Sequence, residues 1–182
     1  GMDRRAYLSA VGCVTAGSLA GCVGGGQING GDPDGFTVET VAEGFEHPWG
    51  IAFLPGDSRL LVTERPGRLS LLDRESGEAE SLDGTPDVHA AGQGGLLDVT
   101  VHPDFPDEPW VYLTYAATND DGDSSTHLGR GRLDLETPEI VEFDVLHAAE
   151  PFVDSNGHYG SRVVFGDDGM VYLTVGDRQF KN

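Results

Sequence analysis

A glutamine and a histidine occupy two glycine-rich turns, and each turn stands directly before an apolar stretch of chain. Gln93 lies among the glycines of residues 92–95, and His158 lies between Gly157 and Gly160. Glycine allows positive φ and a close approach of the backbone to a ligand. A neutral imidazole can act as a general base, and an amide can donate hydrogen bonds without adding charge. These two turns are therefore the candidate functional positions, because function concentrates on loops that a rigid scaffold holds.

Other polar residues give weaker indications of a site. Asp98 falls within an apolar strand, where alternation favours a structural role over a role as a base. Residues 120–123 (Asp-Asp-Gly-Asp) look like part of a calcium loop but lack its downstream glutamate, which favours a solvated acidic loop. Five histidines have no partner at metal-ligand spacing and are interpreted as surface or turn residues: His47, His89, His102, His127 and His147. The sequence therefore predicts no metal site from these residues.

Short strands separated by Gly, Pro and Asp turns position the two candidate turns. Apolar runs without helical periodicity predict strands at residues 36–41, 49–54, 59–64, 68–72, 96–101, 111–116, 127–135, 140–146, 162–165 and 170–175. Such a series is typical of a sandwich, a barrel or a propeller. The fold class is therefore all-β.

An internal repeat decides among these architectures. A strand, a turn rich in Pro, Gly or Asp, and a second strand ending in threonine recur with Thr63, Thr114 and Thr174. Propeller blades of four strands take about 40–50 residues each, which fits this repeat. The sequence predicts a β-propeller with about two and a half blades in residues 36–182.

Two and a half blades fall short of the roughly 4–8 blades of a closed propeller. An open wedge would leave two sheet edges exposed, which favours aggregation. We therefore expect residues 36–182 to be the N-terminal part of a longer protein, with self-association into a ring as the alternative.

The charge of the chain excludes some partners. Lys and Arg number 11 against 31 Asp and Glu, for a formal net charge of −20. Such a surface repels nucleic acid and anionic lipid, so neither is an expected partner. Acidic composition with few lysines also suits high salt, where screening relieves self-repulsion, and indicates a halophilic origin.

The N-terminus has the pattern of an export signal. Arg4 and Arg5 precede a weakly apolar run that is too short to span a membrane, as in a twin-arginine signal peptide. Residues 19–22 (Leu-Ala-Gly-Cys) resemble a lipobox, in which Cys22 is lipidated. The expected organisation is a signal peptide at 1–21, a Gly-rich tether at 22–35 and the propeller from 36. The protein is then exported and anchored by a lipid to the outer face of the cell membrane.

Six segments follow one another in a characteristic order over roughly residues 38–180. They are residues 47–50 (HPWG), 62–67 (VTERPG), 92–99 (GQGGLLDV), 102–105 (HPDF), 111–115 (VYLTY) and 158–165 before Gly176-Asp177. Together they resemble a known family, the soluble aldose sugar dehydrogenases that use pyrroloquinoline quinone (the glucose/sorbosone dehydrogenase family). Each segment is weak alone, but their order and spacing make the set specific.

The resemblance implies a six-bladed propeller that oxidises an aldose at the anomeric carbon. Hydride passes to pyrroloquinoline quinone and then to an external electron acceptor. Gln93 matches the glutamine that contacts the quinone, His158 the general base, and Arg162 the arginine of the same segment, here taken as a cofactor contact. Ser161 departs from the glycine that is usual in the family. The resemblance also implies calcium, whose ligands, with most cations for the cofactor's three carboxylates, lie on later blades.

Two further functions stay open on the sequence. One is a non-catalytic, lipid-anchored propeller that binds a sugar or a protein, and the other is a calcium-dependent lactone hydrolase. This segment alone should bind an anionic cofactor poorly, since it is acidic and has few arginines. Arginine and lysine positions on later blades would separate the enzyme from the binding module.

Overall fold

The first antiparallel sheet places four strands side by side in chain order. They are β1 (Pro48–Phe53), β2 (Arg59–Glu64), β3 (Arg68–Asp73) and β4 (Ala79–Leu82), in a computed structural model that describes residues 37–179. The β2–β3 hairpin pairs without interruption from Arg59 opposite Asp73 to Glu64 opposite Arg68. Its turn ends at Gly67, whose φ of +116° suits glycine.

The second sheet repeats this arrangement, and a hairpin follows it. The second sheet contains β5 (Leu96–Val101), β6 (Trp110–Thr118), β7 (Ser124–Asp134) and β8 (Glu139–Ala148), again in chain order. The hairpin contains β9 (Gly160–Phe165) and β10 (Val171–Val175). Strand β1 lies against β5, and β5 lies against β9. This is the stacking of propeller blades, so the predicted β-propeller with about two and a half blades is confirmed.

Apolar side chains between neighbouring blades form the core. The main cluster joins the first and second sheets and includes the fully buried Leu61, Leu69, Leu96 and Leu113. A smaller cluster, formed by Tyr112, Leu128 and Val163, joins the second sheet to the hairpin. Burial of these side chains contributes most of the favourable free energy that holds the blades together.

The repeated threonine has a structural role, which the first blade shows. The Thr63 hydroxyl accepts a hydrogen bond from the Gly50 N–H at 2.8 Å and donates one to the carbonyl of Leu97. Gly50 belongs to the first strand of the same blade, and Leu97 belongs to the first strand of the next blade. One buried hydroxyl therefore links two blades.

Thr114 forms the same link in the second blade. Its hydroxyl accepts from the Asp98 N–H at 2.9 Å and donates to the Ser161 carbonyl at 2.8 Å. Thr174 accepts from the Arg162 N–H at 3.0 Å. The threonine repeat thus marks the position at which a second strand satisfies the buried backbone groups of first strands.

One strand predicted from the sequence is absent from residues 37–41, and one observed strand was not predicted. Residues 37–41 form no strand, although their alternation of apolar and polar residues favours one. Strand β4 was not predicted, because its sequence Ala-Glu-Ser-Leu is short and mostly exposed. It forms because an outer strand needs only one partner, and β3 supplies that partner. Local pattern is a weak guide to strands at the edge of a sheet.

Part of the predicted organisation lies outside the described residues. This holds for the signal peptide at 1–21, for lipidation of Cys22 and for the tether at 22–35, which all stay predictions. Within residues 37–179, no helix has the length and apolar character needed to cross a membrane.

Candidate functional site

The two candidate turns, which precede β5 and β9, contact each other directly. The backbone N–H of His158 donates to Gln93 Oε1 at 2.9 Å. The backbone N–H of Gln93 donates to the Asn156 carbonyl at 2.8 Å. His89 Nε2 lies 2.7 Å from Asn156 Oδ1 and adds a third contact between the turns. The structure therefore brings together the histidine and the glutamine that were singled out in the sequence.

Close backbone packing fixes the Gln93 turn. The N–H of Leu96 donates to the Arg65 carbonyl at 3.1 Å, and Arg65 Nη1 donates to the Gly92 carbonyl at 2.8 Å. Gly95 has a φ of +125°, and a Cβ added there would lie 1.9 Å from the Arg65 carbonyl oxygen. Only glycine fits this position, which explains its place in the motif.

His158 is hydrogen-bonded to a carboxylate that the sequence analysis did not assign to the site. His158 Nδ1 lies 2.7 Å from Asp177 Oδ1, and the two side chains are 50% and 60% exposed. Because a carboxylate only accepts, Nδ1 carries the hydrogen in the neutral ring and Nε2 keeps its lone pair. The arrangement leaves Nε2 able to accept a proton.

Hairpin register explains why Asp177 lies there. Strands β9 and β10 pair Val163 with Leu173 and Gly160 with Val175. Continuing that pairing outward by two residues brings His158 opposite Asp177. The register shifts by one residue between Leu173 and Val175, so counting from the turn without that irregularity would have placed Arg178, not Asp177, opposite His158.

A buried arginine follows Asp177 in the chain and was also missed. Arg178 is 5% exposed and lies over the ring of Tyr159, with 3.8 Å between its guanidinium carbon and the ring centroid. Burial lowers the pKa of its guanidinium below the usual value, while interaction with Tyr159 acts in the opposite direction. The turn that carries His158 therefore packs on a cation.

Arg162 does not contact the other candidate residues but lies further along β9. Its Nη1 is 3.1 Å from Asp98 Oδ1, and its side chain is 68% exposed. Asp98 is buried, and its Oδ2 also accepts from the Val163 N–H at 2.9 Å. Asp98 thus links β5 to β9, as a structural role predicts. Arg162 helps to line a pocket of about 350 Å³ with Pro48, Trp49, Asp98, Gly160 and Ser161.

The order of these features along the chain matches a known family. The family model described as glucose/sorbosone dehydrogenase matches residues 45–182. The chain belongs to this family. The match covers both complete blades, the two turns and the hairpin.

Individual members of the family are similar over most of the chain. The aldose sugar dehydrogenase YliI of Escherichia coli (strain K12) is 36% identical over 145 residues, covering 80% of this chain and 39% of that protein. A solved glucose dehydrogenase is 38% identical with a TM-score of 0.76, covering 79% of this chain and 44% of that one. The PQQ-bound aldose sugar dehydrogenase of Streptomyces coelicolor is 29% identical with a TM-score of 0.70, covering 79% and 42%. This chain spans about two fifths of the length of these relatives.

The departure expected from the resemblance has a structural cost. Ser161, where the resemblance implies a glycine, has a φ of +90°, in the left-handed region. His158 and Arg178 also have positive φ, at 53° and 51°. Non-glycine residues in this region cost about 1–3 kcal/mol each, and they cluster at functional sites. The site of this glucose/sorbosone dehydrogenase family member therefore has a strained backbone that its surroundings hold in place.

One prediction about the other histidines is wrong. His127 is neither a surface nor a turn residue but lies half-buried in β7. Its ring stacks on Tyr115 at 5.4 Å between centroids and meets the edge of Phe152 at 5.5 Å. Burial lowers the pKa of His127, although a hydrogen bond to the Ser125 carbonyl acts to raise it. The apolar part of an imidazole packs well against these rings, which the local sequence around His127 does not predict.

The acidic loop at residues 120–123 forms a turn. Asn119 Oδ1 accepts from the N–H groups of Asp121 and Asp123. Across residues 37–179, no group of three or more His, Cys, Asp or Glu side chains could hold a metal ion.

Proposed function

We propose that this chain supplies the general base and one cofactor contact of an enzyme that oxidises an aldose with pyrroloquinoline quinone. The observation that carries the proposal is that His158 takes part in two hydrogen bonds, one through its ring and one through its backbone. His158 is bonded through its ring to Asp177 at 2.7 Å and through its backbone to the Gln93 side chain at 2.9 Å. A base and an amide are thereby held side by side.

Proton transfer is the step that this chain's residues perform. His158 Nε2 takes the proton from the anomeric hydroxyl of the sugar as the hydride leaves the same carbon, which turns the cyclic aldose into a lactone. Asp177 keeps the ring in the tautomer with a free Nε2 and stabilises the imidazolium that forms. Pyrroloquinoline quinone, when bound, supplies the acceptor for the hydride. An external electron acceptor then takes the electrons.

The Gln93 side chain fits a quinone contact. Its Oε1 is occupied by the His158 N–H, which fixes the orientation of the amide. The two N–H groups at Nε2 then point away from that backbone bond and can donate to an oxygen of the cofactor. This supports the role given to Gln93.

The cations near the site fit the cofactor only in part. Arg65 contacts the Gln93 turn through the Gly92 carbonyl, whereas Arg162 lies further along β9 and is paired with Asp98. Three cofactor carboxylates need more positive charge than these two side chains provide. Substrate binding and most anion recognition are therefore assigned to the complete protein. Residues 37–179 contain no group of three or more His, Cys, Asp or Glu side chains that could hold a metal ion, so any calcium ligands are also assigned to the complete protein.

The test uses the complete gene product that contains this chain, reconstituted with pyrroloquinoline quinone. We expect His158→Gln to lower kcat for aldose oxidation by about 10²–10⁴-fold, the usual contribution of a general base. His102→Gln is the matched control, because His102 lies at the far end of β5 and packs on Phe165. Its kcat should stay within about twofold of the wild-type value.

Two outcomes would overturn the proposal. One is full sugar oxidation by His158→Gln, which would remove the base assignment. The other is a protein that binds sugar but reduces no acceptor dye with any aldose, which would favour a binding module. Circular dichroism of each variant checks that the fold is intact.

A further inference from the structure

Arg178 is buried next to the site, and no carboxylate within residues 37–179 forms an ion pair with it. Its polar atoms bond to backbone and hydroxyl oxygens instead. Nε donates to the Gly157 carbonyl at 3.0 Å, and Nη1 donates to the Ser124 carbonyl at 2.7 Å. Nη2 donates to Ser124 Oγ at 2.9 Å and to the Ser155 carbonyl. Taking a guanidinium out of water is costly, and neutral acceptors offset that cost less than a carboxylate does.

The contacts of Arg178 surround His158. Gly157, which accepts from Nε, precedes His158, and Tyr159, whose ring lies under the guanidinium, follows it. The backbone N–H of Arg178 donates to the His158 carbonyl at 3.3 Å. Arg178 thus contacts the residues on both sides of the histidine.

The same residue also fixes the partner of the histidine. Asp177 immediately precedes Arg178 in the chain, so an immobile Arg178 limits where the Asp177 carboxylate can go. Tyr159 is fixed in turn, since its hydroxyl lies 2.8 Å from Ser124 Oγ. Ser124 begins β7, so the second blade holds the open end of the β9–β10 hairpin in place.

A planar guanidinium suits this task better than an ammonium. Its N–H groups leave in fixed directions, and the carbonyls of residues 124, 155 and 157 occupy three of them. A lysine would keep the charge but could not reproduce the fork or the stacking on Tyr159.

We infer that Arg178 is a positioning residue that holds His158 and Asp177 in hydrogen-bonding geometry and so fixes the tautomer of the His158 ring. The inference rests on the proposed function in that His158 is taken to be the base. It concerns geometry that exists before any ligand binds, so it can be tested without cofactor.

The test compares Arg178→Lys with a matched control in the complete protein. Arg130→Lys is that control, because Arg130 also lies over an aromatic ring, 4.3 Å from the centroid of Trp110, but is remote from His158. The first readout is the ¹⁵N NMR spectrum of the histidine rings in cofactor-free protein at about pH 8.5, where an ordinary imidazole is neutral. The signals of His158 are assigned by their loss in His158→Gln.

We expect a single tautomer of His158, protonated at Nδ1, in the wild type and in Arg130→Lys. In Arg178→Lys we expect a mixture of both tautomers. With cofactor added, kcat should fall by about 10–100-fold, as for other groups that orient a catalytic residue, while KM for the sugar changes less than about threefold. A wild-type ring spectrum together with an unchanged kcat in Arg178→Lys would overturn the inference.

A milder variant guards against failure to fold. Ser124→Ala removes one acceptor of Arg178 and the hydroxyl partner of Tyr159, and it should shift the His158 ring signals in the same direction by a smaller amount. If Arg178→Lys does not fold, unchanged ring signals in Ser124→Ala overturn the inference, and shifted signals support it. Altered ring signals in Arg178→Lys combined with full activity of His158→Gln would instead keep this inference about geometry and reject the proposed function.

Discussion

The Gln93 turn and the His158 turn look alike in sequence but are held in different ways. Each puts one polar residue among glycines before the first strand of a blade. The Gln93 turn is fixed by backbone contact with Arg65, at a position where only glycine fits. The His158 turn also has a close backbone approach, at Gly176, but it is held in addition by the buried side chain of Arg178. The comparison shows that a glycine-rich motif indicates a close approach of the backbone, while a polar turn can also be held by a distant side chain.

The largest loss of stability is expected from substitutions that prevent the close backbone approach at each turn. In Gly95→Ala the new Cβ would lie 1.9 Å from the Arg65 carbonyl oxygen, and in Gly176→Ala 1.8 Å from the His158 carbonyl oxygen. Backbone must move in both, so we expect each to lower the free energy of unfolding by about 3 kcal/mol or more. Urea denaturation followed by circular dichroism measures this.

Gly122→Ala separates conformational strain from steric overlap. Gly122 has a φ of +87°, but a Cβ there would meet nothing within 4 Å. Its substitution should cost about 1 kcal/mol from the left-handed conformation alone. If Gly95→Ala proves no more destabilising than Gly122→Ala, the account of the Gln93 turn is wrong.

An intermediate loss of stability is expected at Thr114, whose hydroxyl bonds to both strands that follow the two turns, β5 and β9. Thr114→Val leaves the N–H of Asp98 and the carbonyl of Ser161 without their partner, on β5 and β9 respectively. Unsatisfied buried groups cost about 1–3 kcal/mol, so we expect a loss of stability in that range.

Thr63→Val is the matched variant for this prediction. Its hydroxyl links Gly50 and Leu97 in the first two blades, so the stability loss should be similar. Amide hydrogen exchange should rise around Ser161 in Thr114→Val but not in Thr63→Val. Equal exchange at Ser161 in both variants would contradict a local role for the Thr114 link.

Local pattern in the sequence predicts most of the strands and both turns, because each depends on residues near in the chain. The contact between Gln93 and His158 could not be read from either motif, since it depends on how blades stack. Asp177 was within reach only with knowledge of the one-residue register shift between Leu173 and Val175, which the sequence does not indicate. Arg178 was not, because its acceptors in Ser124 and Ser155 belong to other segments, and nothing near Arg178 indicates burial. Side chains that position a site from a distance are therefore what sequence reasoning misses.

The smallest expected effect is a difference between the two turns in how their stability depends on pH. Glu64, which precedes Arg65, is buried and bonded to Arg68, to the Glu46 N–H and to Ser70. Burial acts to raise the pKa of Glu64, but these bonds and the charge of Arg68 outweigh it, so the pKa lies below its usual value. The charged carboxylate therefore stabilises the folded state above its unfolded-state pKa, and this contribution is lost as pH falls through the folded-state value. Arg178, in contrast, bonds to neutral oxygens that do not titrate.

Protonation of Glu64 in acid should therefore weaken the packing around Arg65, the residue that contacts the Gln93 turn. We expect wild type to be more stable than Glu64→Gln near pH 7, and the difference in unfolding free energy to shrink steadily between about pH 5 and pH 3. The difference should be about 1 kcal/mol or less, because Arg68 is 43% exposed and water screens its charge. Glu46→Gln is the control, since Glu46 lies 3.8 Å from Arg68 on the surface, and near pH 7 it should lower the stability less than Glu64→Gln does. A gap between wild type and Glu64→Gln that widens on acidification would show that Glu64 is held in its neutral form, and the Gln93 turn would then have no titrating support.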